Sequence, residues 1–92
     1  MTKSTFKSLP PKKLLLIDDH ALARTAVKAL LKDCAELSII AEAASGSEAL
    51  QLAREHLPDV ILLDIELPDL SGVEVAKRLL QIRPFRIIVL TS

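Results

Sequence analysis

Aromatic residues and cysteine are scarce in this sequence of 92 residues, which contains two Phe, no Tyr, no Trp and one Cys. Half of the residues are nevertheless hydrophobic, a content that favours a folded core over a disordered chain. The core must therefore be aliphatic, built from Leu, Ile, Val and Ala. The single cysteine, Cys34, excludes an internal disulfide and a cysteine-rich zinc site.

Long apolar segments and an excess of charge are absent as well. No apolar run approaches the ~18–20 residues that cross a membrane, and the lysine-containing N-terminus lacks the apolar core of a signal peptide. Twelve basic and twelve acidic residues give a formal net charge of zero, which argues against nucleic-acid binding by this segment. A chain of this length forms at most one small domain, which we expect in the cytoplasm.

Residues 1–12 are predicted to form a flexible lead-in, since the Pro10–Pro11 pair disfavours helix, and residues 13–92 are predicted to form the domain. Four strands are predicted within it, at residues 14–17, 37–43, 60–63 and 87–90. Three of these are continuous apolar runs, which are typical of a parallel sheet covered by helices on both faces. The second, more polar strand suits an edge of that sheet.

Segments with helical periodicity separate the strands. The second and third helices open with Ser-Gly-Ser-Glu and Ser-Gly-Val-Glu, patterns that predict capping boxes. The apolar stripes of all three helices are predicted to be buried. The buried positions include Leu30 in the first helix, Leu57 in the second and Leu80 in the third. The resulting order, β-α-β-α-β-α-β, predicts an α/β fold with a parallel sheet and right-handed crossovers.

Three carboxylates follow buried strands: Asp18 and Asp19 come after the first, and Asp64 after the third. If the strand order is 2-1-3-4, these strands are neighbours and the carboxylates converge at the carboxyl edge of the sheet, where α/β folds bind ligands. Mutual repulsion would then be relieved by a hard cation such as Mg²⁺, beside which a carboxylate can attack phosphorus. The alternative is that the three residues only cap a helix and begin a turn.

The sequence resembles the receiver domains of two-component response regulators, in particular the subfamily that usually carries a C-terminal helix-turn-helix DNA-binding domain. The segments that carry the resemblance are residues 15–20 (LLIDDH), 42–50 (EAASGSEAL), 58–68 (PDVILLDIELP) and 89–92 (VLTS), together with Arg24 and Gly72. The resemblance implies a flavodoxin-like, doubly wound parallel sheet of order 2-1-3-4. This sheet would be incomplete, since the family's fourth helix, fifth strand and fifth helix lie beyond Ser92.

The resemblance also implies a function for individual residues. Asp64 would be the phosphoacceptor, with a sensor histidine kinase as the partner that supplies the phosphoryl group. Mg²⁺ would be held by Asp18, Asp19, Asp64 and the backbone carbonyl of Glu66, and Thr91 would be the switch hydroxyl. DNA binding would belong to a domain that this chain lacks, and the chain itself would not be a turnover enzyme.

The family's Lys on the fifth strand, which pairs with the phosphoryl group, is missing from these 92 residues. We therefore expect a fragment whose exposed fourth strand invites pairing with another chain, as a homodimer or a domain-swapped copy. A phosphorylation-independent interaction or dimerisation module remains an alternative.

A Mg²⁺-dependent phosphohydrolase with an aspartyl nucleophile is a further alternative, although it leaves the Asp18–Asp19 pair unexplained. Such an enzyme typically needs a second acid two residues after the nucleophile as its general acid, and Glu66 matches this requirement only loosely. His20, His56 and Cys34 are expected to have structural roles rather than roles in the chemistry.

Overall fold

Strands and helices alternate along the chain in the computed structural model, which describes residues 10–90. The elements are β1 (Lys12–Ile17), α1 (Ala21–Leu31), β2 (Leu37–Ala43), α2 (Gly46–His56), β3 (Val60–Asp64), α3 (Gly72–Ile82) and β4 (Arg86–Leu90). The predicted element order is confirmed. β1 begins at Lys12, inside the predicted lead-in, and residues 1–9 lie outside the described residues.

The four strands form one parallel sheet in the order β2-β1-β3-β4, which confirms the predicted order. β1 lies between β2 and β3, and Ile17 pairs with Leu63 at the carboxyl ends of the two central strands. The next residues, Asp18 and Asp64, therefore emerge side by side at one edge of the sheet. This register is what brings residues 46 positions apart in sequence to the same place.

The larger hydrophobic core lies on the face of the sheet that α2 and α3 cover. Its buried members are Leu15, Ile17, Ala43, Ala49, Leu50, Ala53, Ile61, Leu63, Val75, Leu79 and Phe85. Leu14 and Leu16, also buried, alternate with the core residues of β1 and therefore point to the opposite face. Because right-handed crossovers on either side of a reversal in strand order lie on opposite faces, α1 belongs to that second face.

The predicted apolar stripes are only partly correct. Leu30 of α1 is 81% exposed, and α1 contains no buried residue at all. Leu80 is also exposed, because Val75 and Leu79, four residues apart, form the buried line of α3. Leu57 is the exposed C-cap of α2, with a left-handed φ of 46°.

Both predicted N-caps are confirmed, although neither capping box closes on the N-cap amide, and only the Glu48 side chain turns back, to the residue before its cap. Ser45 Oγ accepts a hydrogen bond from the Glu48 amide at 3.2 Å, and Glu48 Oε1 accepts one in return from the amide of Ala44 at 2.8 Å. Ser71 caps α3 in the same way, accepting from the Glu74 amide at 3.1 Å. The carboxylate of Glu74 turns outward instead, towards Arg78.

β4 is an apolar edge strand among residues 10–90. It pairs only with β3, and Ile88, Val89 and Leu90 are all exposed, as predicted for the fourth strand. Across the described part of the chain, none of the helices is both long enough and apolar enough to cross a membrane.

Candidate functional site

The acidic residues that follow β1 and β3 meet at the carboxyl edge of the sheet. Asp18 is held at the end of β1 by a hydrogen bond from its amide to the Ala43 carbonyl of β2, at 3.0 Å. Asp18 and Asp64 are both nearly buried, at 8% and 7% exposure, whereas Asp19 is exposed. The convergence predicted from the strand order is therefore present, with two inner carboxylates and one at the rim.

His20 completes the cluster, although it was expected to have only a structural role. One ligand atom from each of Asp18, Asp19, His20 and Asp64 lies within 4.8 Å of the others. His20 Nδ1 is 3.0 Å from Asp18 Oδ1, 3.0 Å from Asp19 Oδ1 and 3.8 Å from Asp64 Oδ2. The hydrogen bond to Asp18, followed by the negative charge of Asp19, raises the pKa of His20 above its usual value. The imidazole thus lies beside all three carboxylates, at the exposed side of the cluster.

The donor atoms of this cluster suit a hard divalent cation. Three carboxylates offer oxygen ligands at one spot, and Mg²⁺ is bound through one or two carboxylates with retained waters. His20 does not obstruct such a cation permanently, because its side chain is 65% exposed and can turn out to solvent. The residues present therefore fit the cation that the acidic pair predicts.

Of the two other predicted site residues, Glu66 is among the described residues and Thr91 is not. The Glu66 amide donates a hydrogen bond to Asp64 Oδ1 at 3.1 Å, so that the chain after β3 turns back over the Asp64 carboxylate. This places the Glu66 backbone beside the acidic cluster. Thr91, the predicted switch hydroxyl, lies outside the described residues.

A network of charged side chains connects α1 to the site. The Arg24 guanidinium donates to the Asp18 carbonyl oxygen at 2.6 Å and to Glu42 Oε1 at 3.1 Å. The ammonium of Lys28, one turn along α1, lies 2.9 Å from the second oxygen, Glu42 Oε2. The hydrogen bond from Lys28, together with the two positive charges, lowers the pKa of Glu42. Arg24 contributed to the family resemblance, but the sequence assigned it no role.

The loop between β3 and α3 is fastened to the N-terminus of α2. Asp69 accepts hydrogen bonds from the amide of Gly46 at 2.7 Å and from the amide of Ser47 at 3.0 Å. These amides belong to the first turn of the helix, where backbone N–H groups have no partner within the helix and favour a negatively charged acceptor. The two backbone hydrogen bonds lower the pKa of Asp69. The sequence predicted neither contact, since the acceptor for these two amides is a residue more than twenty positions away.

Asp69→Asn is expected to lower the free energy of unfolding at neutral pH. A carboxyl group whose pKa is lower in the folded state stabilises the protein above its unfolded pKa, about 3.9 for Asp, and loses that contribution as pH falls. The difference between wild type and variant should therefore shrink from pH 7 to pH 3, as measured by chemical denaturation. Asp33→Asn, at an exposed Asp, is the matched control. An Asp69 difference that is constant with pH would contradict this account.

The chain combines a parallel α/β sheet with a cluster of acidic residues at its carboxyl edge. This combination indicates the class of protein to which the chain belongs. Residues 14–92 match the family model described as the response regulator receiver domain. The chain is therefore a member of the response regulator receiver domain family, whose proteins act in two-component signalling.

Individual relatives agree with the family. The chain is 39% identical over 80 residues to the response regulator GacA of Pseudomonas aeruginosa, covering 86% of this chain and 37% of GacA. It is 39% identical over 69 residues to the nitrate/nitrite response regulator NarL of Escherichia coli K12, covering 75% of this chain and 32% of NarL. The chain thus spans about a third of the length of these curated relatives.

Solved structures extend the agreement to the fold. The signal receiver domain of the response regulator NarL from Mycobacterium tuberculosis superimposes with a TM-score of 0.85 at 32% identity. The match covers 90% of this chain and 68% of that domain. The receiver fold that the family resemblance implied is therefore confirmed.

Proposed function

We propose that this chain is the phosphoacceptor switch of a two-component system. Asp64 accepts a phosphoryl group from the phosphohistidine of a sensor histidine kinase, beside Mg²⁺ held by Asp18, Asp19, Asp64 and the Glu66 carbonyl. The observation that carries the proposal is the placement of a nearly buried Asp64 carboxylate within 4.8 Å of the ligand atoms of the acidic pair and His20. Membership of the receiver family supports it.

The two oxygens of Asp64 are not equivalent. Oδ1 accepts the hydrogen bond from the Glu66 amide, whereas Oδ2 is the atom that faces His20 and the acidic pair. The Asp64 carboxylate is the nucleophile. As its bond to phosphorus forms, the bond between phosphorus and the kinase imidazole breaks, and the imidazole nitrogen leaves with the electron pair.

Charge compensation is the main requirement of this transfer. When bound, Mg²⁺ supplies positive charge that offsets the carboxylates and the incoming phosphoryl oxygens. His20 contacts one oxygen each of Asp18 and Asp19, and it would give up these contacts if the cation took the same oxygens. Its exposure leaves it free to do so without disturbing the core.

The experiment that tests the proposal is intact-protein mass spectrometry after incubation with acetyl phosphate. One added phosphoryl group is expected in the presence of Mg²⁺ and none in the presence of a chelator. The absence of an adduct with Mg²⁺ present would contradict the proposed function. An equal yield with the chelator would contradict the role of the cation.

The longer protein and its surroundings extend the proposal. We infer that Thr91 acts as the switch hydroxyl and that the parent protein works in the cytoplasm as a transcriptional regulator. DNA binding would belong to a C-terminal domain, in line with the resemblance to the helix-turn-helix subfamily. The receiver itself assists its own phosphorylation and is not a turnover enzyme.

Two alternative functions are less well supported by the structure. A phosphohydrolase leaves the Asp18–Asp19 pair unexplained, whereas the switch uses both residues. Self-association through β4, with or without phosphorylation, stays a prediction. The exposed apolar edge of Ile88, Val89 and Leu90 favours it, but the relatives give it no support.

A further inference from the structure

Arg24 is the most enclosed charged side chain of α1. The helix has no buried residue, yet the Arg24 side chain is only 19% exposed. It lies between two strands, with Nη1 on the Asp18 carbonyl that follows β1 and Nε on the Glu42 carboxylate of β2. A guanidinium is the side chain that can make these two directed contacts at once, because its donors form a rigid planar fork.

The contact from Arg24 falls on a backbone atom that orients the acidic pair. The Asp18 carbonyl belongs to the peptide group that joins Asp18 to Asp19, so its orientation sets the direction in which both side chains leave the backbone. The preceding peptide group is fixed separately, through the hydrogen bond from the Asp18 amide to the Ala43 carbonyl. Both peptide groups around Asp18 are thus tied to the end of β2, one directly and one through Arg24 and Glu42.

We propose that Arg24 is a positioning residue for the cation site, holding the Asp18–Asp19 peptide group in the orientation that presents both carboxylates to Mg²⁺. Glu42 holds the guanidinium in place through Oε1, whereas Lys28 contacts only the second carboxylate oxygen, Oε2. The inference rests on the proposed function, since it names what prepares that same site. Partners of this kind, one shell behind the ligands, typically affect metal affinity by about 10–100-fold.

The sign of the effect distinguishes positioning from simple electrostatics. Arg24 carries a positive charge close to an acidic cluster, so removing that charge alone should strengthen the binding of a cation. Loss of the positioning contact should weaken it. Arg24→Gln removes the charge, and Arg24→Lys keeps the charge but replaces the fork with a single ammonium. Weaker binding in both variants therefore indicates the lost geometry rather than the lost charge.

The test is isothermal titration of Mg²⁺ into the full chain. Arg24→Lys and Arg24→Gln are each expected to raise the dissociation constant roughly tenfold. The matched control is Lys28→Gln, which removes a positive charge beside the same carboxylate without touching Asp18, and its dissociation constant should not rise above that of wild type. Unchanged affinity in the Arg24 variants would overturn the proposal, as would an equal loss in Lys28→Gln.

A second measurement needs no cation. The NMR amide shifts of Asp19 and His20 in the metal-free protein are expected to move in Arg24→Lys and to stay in place in Lys28→Gln. Unmoved shifts in Arg24→Lys would overturn the positioning role. If wild type binds no Mg²⁺, the proposed function fails while this measurement still decides the role of Arg24.

Folding of the variants is checked by the free energy of unfolding without cation. Should the Arg24 variants fail to fold, Glu42→Gln takes their place, because it loosens the guanidinium but leaves it present. A smaller loss of Mg²⁺ affinity, with a shift of the same amides, is then expected. Affinity and shifts equal to wild type in Glu42→Gln would overturn the proposal.

Discussion

The Asp64→Asn variant is expected to take up no phosphoryl group from acetyl phosphate, whatever the Mg²⁺ concentration. A neutral amide is a far weaker nucleophile than a carboxylate, and Asp64 is the nearly buried acid at the end of the central strand β3. The asparagine keeps an oxygen that can accept the Glu66 amide bond now made to Asp64 Oδ1. The local fold should therefore survive the loss of chemistry, and intact-protein mass spectrometry measures the result.

The control for this variant is Asp33→Asn, which makes the same chemical change outside the cluster and should be phosphorylated like wild type. An adduct of wild-type yield in Asp64→Asn would contradict the assignment of the phosphoacceptor. The variant also removes one of three neighbouring negative charges. It should consequently bind Mg²⁺ more weakly than wild type, whose stabilisation by the cation is about 2.7 kcal/mol at a concentration 100 times its dissociation constant.

Gly72→Ala is expected to cost the fold about 3 kcal/mol or more of its free energy of unfolding. A Cβ at Gly72 would lie 2.5 Å from Ile65 Cα and 2.8 Å from the Ile65 carbonyl oxygen. Both are backbone atoms, and the Gly72 amide is bonded to that same carbonyl at 2.8 Å. The loop that carries Glu66 would have to open, so the cost is large against a total on the order of 5–14 kcal/mol for a chain of this length.

The other of the chain's two glycines, Gly46, provides the matched control. A Cβ at Gly46 would meet Val75 Cγ2 at 2.9 Å and Leu70 Cδ1 at 3.0 Å, which are side-chain atoms that can shift. Gly46→Ala should therefore destabilise the protein clearly less than Gly72→Ala, as measured by urea denaturation. Equal losses in the two variants would contradict the account based on backbone contact.

The sheet and the acidic cluster were predictable because the signals that define them are continuous in sequence. Strands buried on both faces appear as unbroken apolar runs, and an Asp at the end of each central run marks the carboxyl edge. Once the neighbours in the sheet are known, the meeting of Asp18, Asp19 and Asp64 follows from the pairing of Ile17 with Leu63. No knowledge of side-chain conformation is needed for this step.

The contacts that were missed depend on side-chain direction and on the path of loops. His20 was adjacent to the acidic pair in sequence, which was a usable signal, but its turn into the cluster is set by the backbone at the start of α1. Arg24 reaches Glu42 and Asp69 reaches Gly46 across gaps of 18 and 23 residues. No periodicity links such positions. The stripe of α1 was predicted wrongly because periodicity gives the apolar face of a helix but not how much of it a neighbour covers.

The absence of buried residues from α1, in contrast to α2 and α3, divides the protein into parts of unequal local stability. Segments with few buried apolar contacts open at a lower free energy than the rest of a fold, and their amide protons exchange with solvent first. Asp18 and Asp19 border the segment that opens easily, while Asp64 borders the segment held by the main core. A cation shared by both sides would join a less stable cooperative unit to a more stable one. Occupancy of the site would then be reported by slower hydrogen exchange along α1, including the later turns of the helix that do not contact the cation.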